Sequence, residues 1–160
     1  MVHAKLKIGA ENSGKLVSQV KEEAEKLARE KDKKLVLVDG SPGIGCPVIA
    51  SLNGVDATLV VTEPTKSGLV DLKRVLQIIE HFSIPVLVVI NKYDLNQELT
   101  SEIIEFCQEQ DISIVGKIPF DGTIVEAMEQ GKLVIDYAEN SNSAKAIKEV
   151  WEAIKNKLSM

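Results

Sequence analysis

Cysteine is scarce: Cys46 and Cys107 are the two thiols of 160 residues, far apart and without C-x-x-C spacing. His3 and His81 are also widely separated. Neither a zinc site nor an iron-sulfur cluster can therefore be assembled from this chain alone, and a reduced, cytoplasmic setting is expected. Basic residues are also short, with 19 Lys and Arg against 24 acids and a net charge of -5. No overall basic field is available to hold nucleic acid or an anionic membrane. No apolar run approaches the roughly 18 residues of a membrane span. The opening "MVHAKLKIG" lacks the apolar core of a secretion signal, so a soluble intracellular protein is expected. Internal repeats and low-complexity segments are missing too. What remains, 44% hydrophobic and 27% charged residues, is enough to bury a core, and the length predicts a single domain over residues 1–160.

Apolar runs supply the first positive signal. "KLVLVDG" (34–40), "ATLVVTEP" (57–64) and "IPVLVVINKYD" (84–94) are short, β-branched and followed by turn residues. Being apolar on both faces, they predict buried parallel strands. A further strand is expected at "ISIVGKIPF" (112–120) and a weaker one at "HAKLKI" (3–8). Helical stripes lie between them: Leu16, Val17, Val20, Ala24, Leu27 and Ala28; Leu69, Leu72, Val75, Leu76 and Ile79; and the shorter Ile103, Ile104, Phe106 and Cys107. After the polar turn "ENSNS" (139–143), Ile147, Val150, Trp151, Ile154 and Leu158 mark a last helix. Strands alternating with helices predict an α/β fold, a doubly wound, mostly parallel sheet with helices on both faces.

In such a sheet ligands bind beyond the carboxyl ends of the strands, so the loops there carry the functional reading. Asp39 ends an apolar run, where a carboxylate can reach magnesium directly or through water; an Asp in an ordinary turn is the alternative. Behind it, Pro42, Gly43 and Gly45 would let backbone N–H groups approach a terminal phosphate. "NKYD" (Asn91, Lys92, Tyr93, Asp94) matches the N-K-x-D base-reading motif of GTP-binding proteins, with an Asn/Asp turn opening the next helix as the alternative. Pro119 could flank a purine or simply end a strand. Cys46 reads either as a redox-facing thiol or as a small buried residue at a helix start, and the two histidines as surface or cap residues.

Taken together, "LVLVDGSPGIGCPVIAS", "LVVTEPTKSGLVDLKRVLQII", "VLVVINKYDLN" and "GKIPFDGTIVEAMEQGKLV" resemble, in order and spacing, the MinD/ParA/Mrp group of deviant P-loop ATPases. The resemblance covers nearly the whole chain and is nearest to members with an inserted ferredoxin-type domain. It implies a P-loop NTPase-like sheet and a role for Asp39 in holding the magnesium shell of ATP. Gly43 and its neighbours would sense the terminal phosphate, and Glu63, Pro64 and Thr65 would lie beside the nucleotide and a dimer surface. Asn91 would contact adenine, and Pro119 with Asp121 would complete the base and ribose side. Because N-K-x-x serves ATP in this family, Asp94 need not read guanine. The family also has a lysine-rich K-G-G-x-G-K-S/T loop on a central strand, and a first switch with a catalytic aspartate; this sequence contains neither. It therefore resembles the C-terminal part of such an ATPase domain, lacking the P-loop strand. The partner implied is a P-loop and ferredoxin-containing segment or protein, within a nucleotide-sandwiched homo-oligomer.

"GAENSGKL" (9–16) is a near match to G-x-x-x-x-G-K-S/T and raises the possibility of a replacement loop. Leu16 stands where a magnesium-binding hydroxyl belongs, and it forms part of the apolar helix stripe. Asn12 or Ser13 as a helix N-cap, with Gly14 and Lys15 in the first turn, describes the stretch without phosphate. The functional expectation is thus the ATP-binding portion of a MinD-like ATPase linked to iron-sulfur proteins, with little activity alone. The alternatives are a non-catalytic partner-binding module and a GTPase-like protein using "NKYD".

Overall fold

Three of the four stronger expected strands form, and they pair in chain order. The computed structural model describes residues 1–5 and 14–159. Its elements are α1 (Gly14–Glu30), α2 (Cys46–Leu52), β1 (Thr58–Thr62), α3 (Lys66–Glu80), β2 (Val86–Asn91), α4 (Gln97–Glu109), β3 (Ser113–Ile118), α5 (Thr123–Glu129), α6 (Val134–Tyr137) and α7 (Asn142–Lys157). They fall into two units, Met1–Val55 with Arg74–Ser83, and Asp56–Lys73 with Ile84–Met160.

The second unit holds the sheet, in the order β1-β2-β3. Both pairings are parallel, with Val60 opposite Val88 and Val88 opposite Ile114, and an irregularity in register between Val88 and Val89. On the middle strand Leu87, Val88, Val89 and Ile90 are all buried, so both faces are covered; this is why the run is apolar without alternation. The connections from β1 to β2 and from β2 to β3 contain α3 and α4, as parallel pairing requires. Asn96 caps α4 by accepting from the Leu99 N–H at 3.0 Å, while Ile103 and Cys107 have no solvent exposure. Burial pushes the Cys107 thiol pKa up, which keeps it protonated and inert.

Helix α7 runs back along β3. Its first turn meets Asp121 just past the carboxyl end of the strand, and its last turn places Lys157 Nζ 3.2 Å from Ser113 Oγ at the amino end. Midway, the missing side chain of Gly116 leaves the space that Val150 fills. Within "ENSNS", Ser141 caps the helix: its hydroxyl accepts from the Ala144 N–H at 3.2 Å, and α7 already takes in Asn142 and Ser143.

In the first unit, α1 packs on α2. A Cβ at Gly14 would lie 3.0 Å from the Cys46 carbonyl oxygen and 3.3 Å from Ala50 Cβ, so the close approach favours glycine. Lys21 is buried on α1 and donates its ammonium to the carbonyls of Ala50 (3.4 Å), Ser51 (3.0 Å) and Asn53, capping the end of α2. Desolvation lowers the Lys21 pKa, opposed by the charge of Glu25.

The expected strand at 34–40 does not form: residues 35–40 have no ladder partner among the described residues. A lone extended segment cannot satisfy its own N–H and C=O groups, and the strand that the family resemblance puts beside it is not among the described elements. Leu37 is accordingly 84% exposed. Of the weak strand expected at 3–8, residues 3–5 are irregular and the rest lie outside the described residues. Cys46 does open a helix, but it is exposed rather than buried, because α2 buries Val48, Ser51 and Leu52 instead.

Candidate functional site

The parallel register brings three loops to one edge of the sheet. Thr62 stands opposite Ile90, and Asn91 opposite Ile118, so Glu63, Asn91 and Pro119 lie at or just beyond neighbouring strand ends. Glu63 and Asn91 touch: Asn91 Nδ2 donates to Glu63 Oε1 at 3.4 Å, and Lys92 Nζ reaches the same oxygen at 2.8 Å. Lys92 adopts a left-handed φ of 53°, an uncommon state for a residue with a Cβ, as the chain turns out of β2. With Nδ2 engaged, the Asn91 Oδ1 meets no donor among the described residues and remains an acceptor.

The turn after β1 is tight. Pro64 is buried, Thr65 Oγ1 accepts from the Gly68 N–H at 2.9 Å, and Thr62 Oγ1 donates to the Gly68 carbonyl at 3.2 Å. A Cβ on Gly68 would collide with the Glu63 carbonyl oxygen, so glycine is what lets the first turn of α3 close over this loop.

Asp94 and Asp121 are both engaged within the protein. Asp94 Oδ1 accepts from the Phe120 N–H at 2.7 Å, joining the loop after β2 to the loop after β3. The Tyr93 N–H donates to the Ile118 carbonyl at 3.2 Å, and Thr100 Oγ1 donates to the Tyr93 carbonyl at 2.7 Å, so the β2 loop is held from two sides. Asp121 Oδ1 accepts from the Thr123 N–H at 3.0 Å, and Oδ2 from Ser143 Oγ at 2.8 Å and Ser143 N–H at 3.3 Å. Hydrogen bonds from Thr123, then from Ser143, hold the Asp121 carboxyl down to about 2. One carboxylate thus serves the starts of both α5 and α7, where helix dipoles favour negative charge.

Asp39, Pro42 and Gly43 belong to the other unit. Asp39 is exposed, and no donor among the described residues meets its carboxylate. Gly43 has a φ of +90°, and nothing lies within 4 Å of where a Cβ would stand, so glycine is required there by conformation and the space beside it is open. Among the described residues no group of three or more His, Cys, Asp or Glu side chains gathers as a metal cage. Of "GAENSGKL", Gly9 to Ser13 lie outside the described residues, while Lys15 is exposed in the first turn of α1.

A shallow hollow of about 420 Å³ lined by Ile114, Val115, Ala153, Asn156 and Lys157 lies at the amino end of β3, opposite to these loops. The sequence reading missed Ser143 and the pairing of Lys92 with Glu63. Ser143 lies far along the chain from Asp121, and no local pattern marks it as that residue's partner. The buried Lys21 was also missed; a lone lysine on a helix stripe, between Val20 and Ala24, was the only signal.

Comparison with known proteins agrees with this architecture. An uncharacterised protein of Methanocaldococcus jannaschii is 32% identical over 155 residues, covering 97% of this chain and 50% of that protein. The iron-sulfur cluster carrier protein of Pyrococcus horikoshii is 27% identical over 137 residues, covering 77% of this chain and 45% of its own. The chain thus spans about half the length of these curated relatives. Among solved structures, the septum site-determining protein MinD of Pyrococcus horikoshii, complexed with Mg-ADP, superposes with a TM-score of 0.70 at 20% identity, over 89% of this chain and 56% of that one. Among the described residues no helix is long and apolar enough to cross a membrane. With a parallel α/β sheet of MinD-like fold, and a family model matching residues 14–155, the chain belongs to the ParA family of NUBPL iron-transfer P-loop NTPases.

Proposed function

We propose that this chain is the nucleotide-binding portion of a MinD-like ATPase that works with iron-sulfur proteins, supplying the base, switch and magnesium loops. The observation that carries the reading is the row of Glu63, Asn91 and Pro119 at the carboxyl ends of three parallel strands, where α/β sheets bind ligands. Asn91 fits a base edge, since its Oδ1 is an unused acceptor suited to an exocyclic amino group. Half-buried Pro119 offers a rigid ring beside it. Asp39 fits a magnesium ion of the usual kind, held by one carboxylate together with water and phosphate rather than by a protein cage. Open space at Gly43 suits a backbone N–H approaching phosphate. Magnesium bound with ATP would neutralise phosphate charge. Glu63 orients Asn91 and Lys92, and Asp121 holds the helices that flank the base loop.

The remaining parts of the reading rest on the resemblance: completion by a P-loop and ferredoxin-containing segment or protein, and assembly as a homo-oligomer. Hydrolysis by the chain alone is expected to be negligible. The relative that carries iron-sulfur clusters supports an iron-sulfur partner. Titrating isotope-labelled protein with MgATP should move the amides of Asn91 to Leu95, Phe120 to Thr123 and Gly43 at millimolar nucleotide. Unmoved amides at these loops would sink the reading. Turnover at an ordinary enzyme rate that disappears in Lys15→Ala would instead make "GAENSGKL" the phosphate loop.

One observation favours a second reading, a non-catalytic partner-binding module: Leu35 and Leu37 are exposed on a segment with no ladder partner among the described residues, as at an interaction surface. Capture of an iron-sulfur protein with no nucleotide response would favour it.

A further inference from the structure

The geometry points to Asp94 as a positioning residue that ties the base-reading loop to its neighbour, rather than as a reader of guanine. In guanine reading by N-K-x-D the aspartate accepts from N1–H and the N2 amino group with one oxygen each, and an oxygen shared with a main-chain donor weakens that paired grip. Here Oδ1 is turned to the protein and accepts from the Phe120 main chain at 2.7 Å. That distance is short for an N–H donor, as expected when the acceptor is charged.

Phe120 and Asp121 are consecutive, and they are held in opposite senses. The Phe120 N–H donates to Asp94 on one side, and the Asp121 carboxylate accepts from Thr123 and Ser143 on the other. The loop that starts at Pro119 is therefore fixed between the end of β2 and the start of α7. On the β2 side, Thr100 anchors Tyr93, and Lys117 Nζ lies 5.1 Å over the Tyr93 ring. Asn91 is three residues from Asp94 on the same turn, so the strap sets the position of Pro119 relative to the Asn91 amide. This consequence rests on the nucleotide reading above; the strap itself does not.

Two variants separate the roles. Asp94→Asn keeps an oxygen able to accept from the Phe120 N–H but cannot accept from both guanine donors; Asp94→Ala removes the acceptor. In the wild-type full chain, nuclear magnetic resonance should detect a through-hydrogen-bond coupling between the Phe120 amide nitrogen and the Asp94 carboxyl carbon. Exchange of the Phe120 amide should speed up by about fivefold in Asp94→Ala and stay within about twofold in Asp94→Asn. MgATP affinity should follow the same order, with Asp94→Asn restoring what Asp94→Ala loses, and MgGTP should bind no better than MgATP to any of the three. Absence of the coupling, or preferential MgGTP binding lost equally in both variants, would overturn the proposal. If the coupling and exchange pattern hold while no variant binds nucleotide, the strap stands and the nucleotide reading falls.

Discussion

Acid-ended loops have opposite fates in the two units of this chain. Asp39 follows "LVLV" and precedes Gly and Pro, yet its run makes no ladder among the described residues, Leu37 is 84% exposed, and no described donor meets the carboxylate. Asp94 and Asp121 follow runs that do pair, and their carboxylates accept from Phe120, Thr123 and Ser143. The difference lies in what stands beside each segment. A strand with a neighbour has its backbone satisfied and its end fixed, so a side chain beyond it can be aimed; a segment without one lacks that reference frame. Preorganised carboxylates are spent on the protein's own donors, whereas Asp39 meets none among the described residues.

Four substitutions test this contrast, from the largest expected effect to the smallest. Ile90→Ala, at a fully buried position of β2, should lower stability by about 3–4 kcal/mol in denaturant unfolding, since a large side chain leaves a cavity. A loss similar to that of a surface mutant would mean the sheet is not the core. Lys21→Met keeps the apolar stem but removes the donor for the carbonyls of Ala50, Ser51 and Asn53 at the end of α2, and should cost about 2 kcal/mol. If it proves neutral, water can replace the ammonium and the first unit does not depend on that cap.

Asp121→Ala should cost about 1 kcal/mol at neutral pH by uncapping α5 and α7. The sign of its pH dependence follows from a folded-state value near 2 against the ordinary 3.8. Ionised Asp121 stabilises the fold above about pH 3.8, and that contribution is lost as pH falls through about 2. Thermal melts of wild type and variant should therefore converge on acidification; a gap that persists at low pH would assign the effect to packing. Smallest of all, Leu37→Ser should change stability by no more than about 0.5 kcal/mol, because the side chain is already in solvent. A loss approaching that of Ile90→Ala would show that residues 35–38 are paired in solution, and the contrast would collapse.

Much of the architecture was legible in the residue pattern. Continuous β-branched runs announced β1, β2 and β3, and the stripes at Leu16 to Ala28, Leu69 to Ile79 and Ile147 to Leu158 announced α1, α3 and α7, because burial on one or both faces leaves a periodic trace. The same pattern failed at 34–40, since apolar periodicity reports a wish to be buried and carries no information on whether a ladder partner is at hand. The short helices α2, α5 and α6 were too brief to leave a stripe.

The sequence by itself determined which residue types stand at the strand ends, Glu63, Asn91, Asp94, Pro119 and Asp121, and that Asp39 follows the unpaired run. Only the tertiary structure decided their engagements, turning Asp94 toward the Phe120 main chain, Asp121 toward Ser143, and Glu63 toward Asn91 and Lys92. The physical reason is that residue type and local turn chemistry are short-range properties, whereas a hydrogen bond between residues more than twenty positions apart depends on which strands pair and in what register.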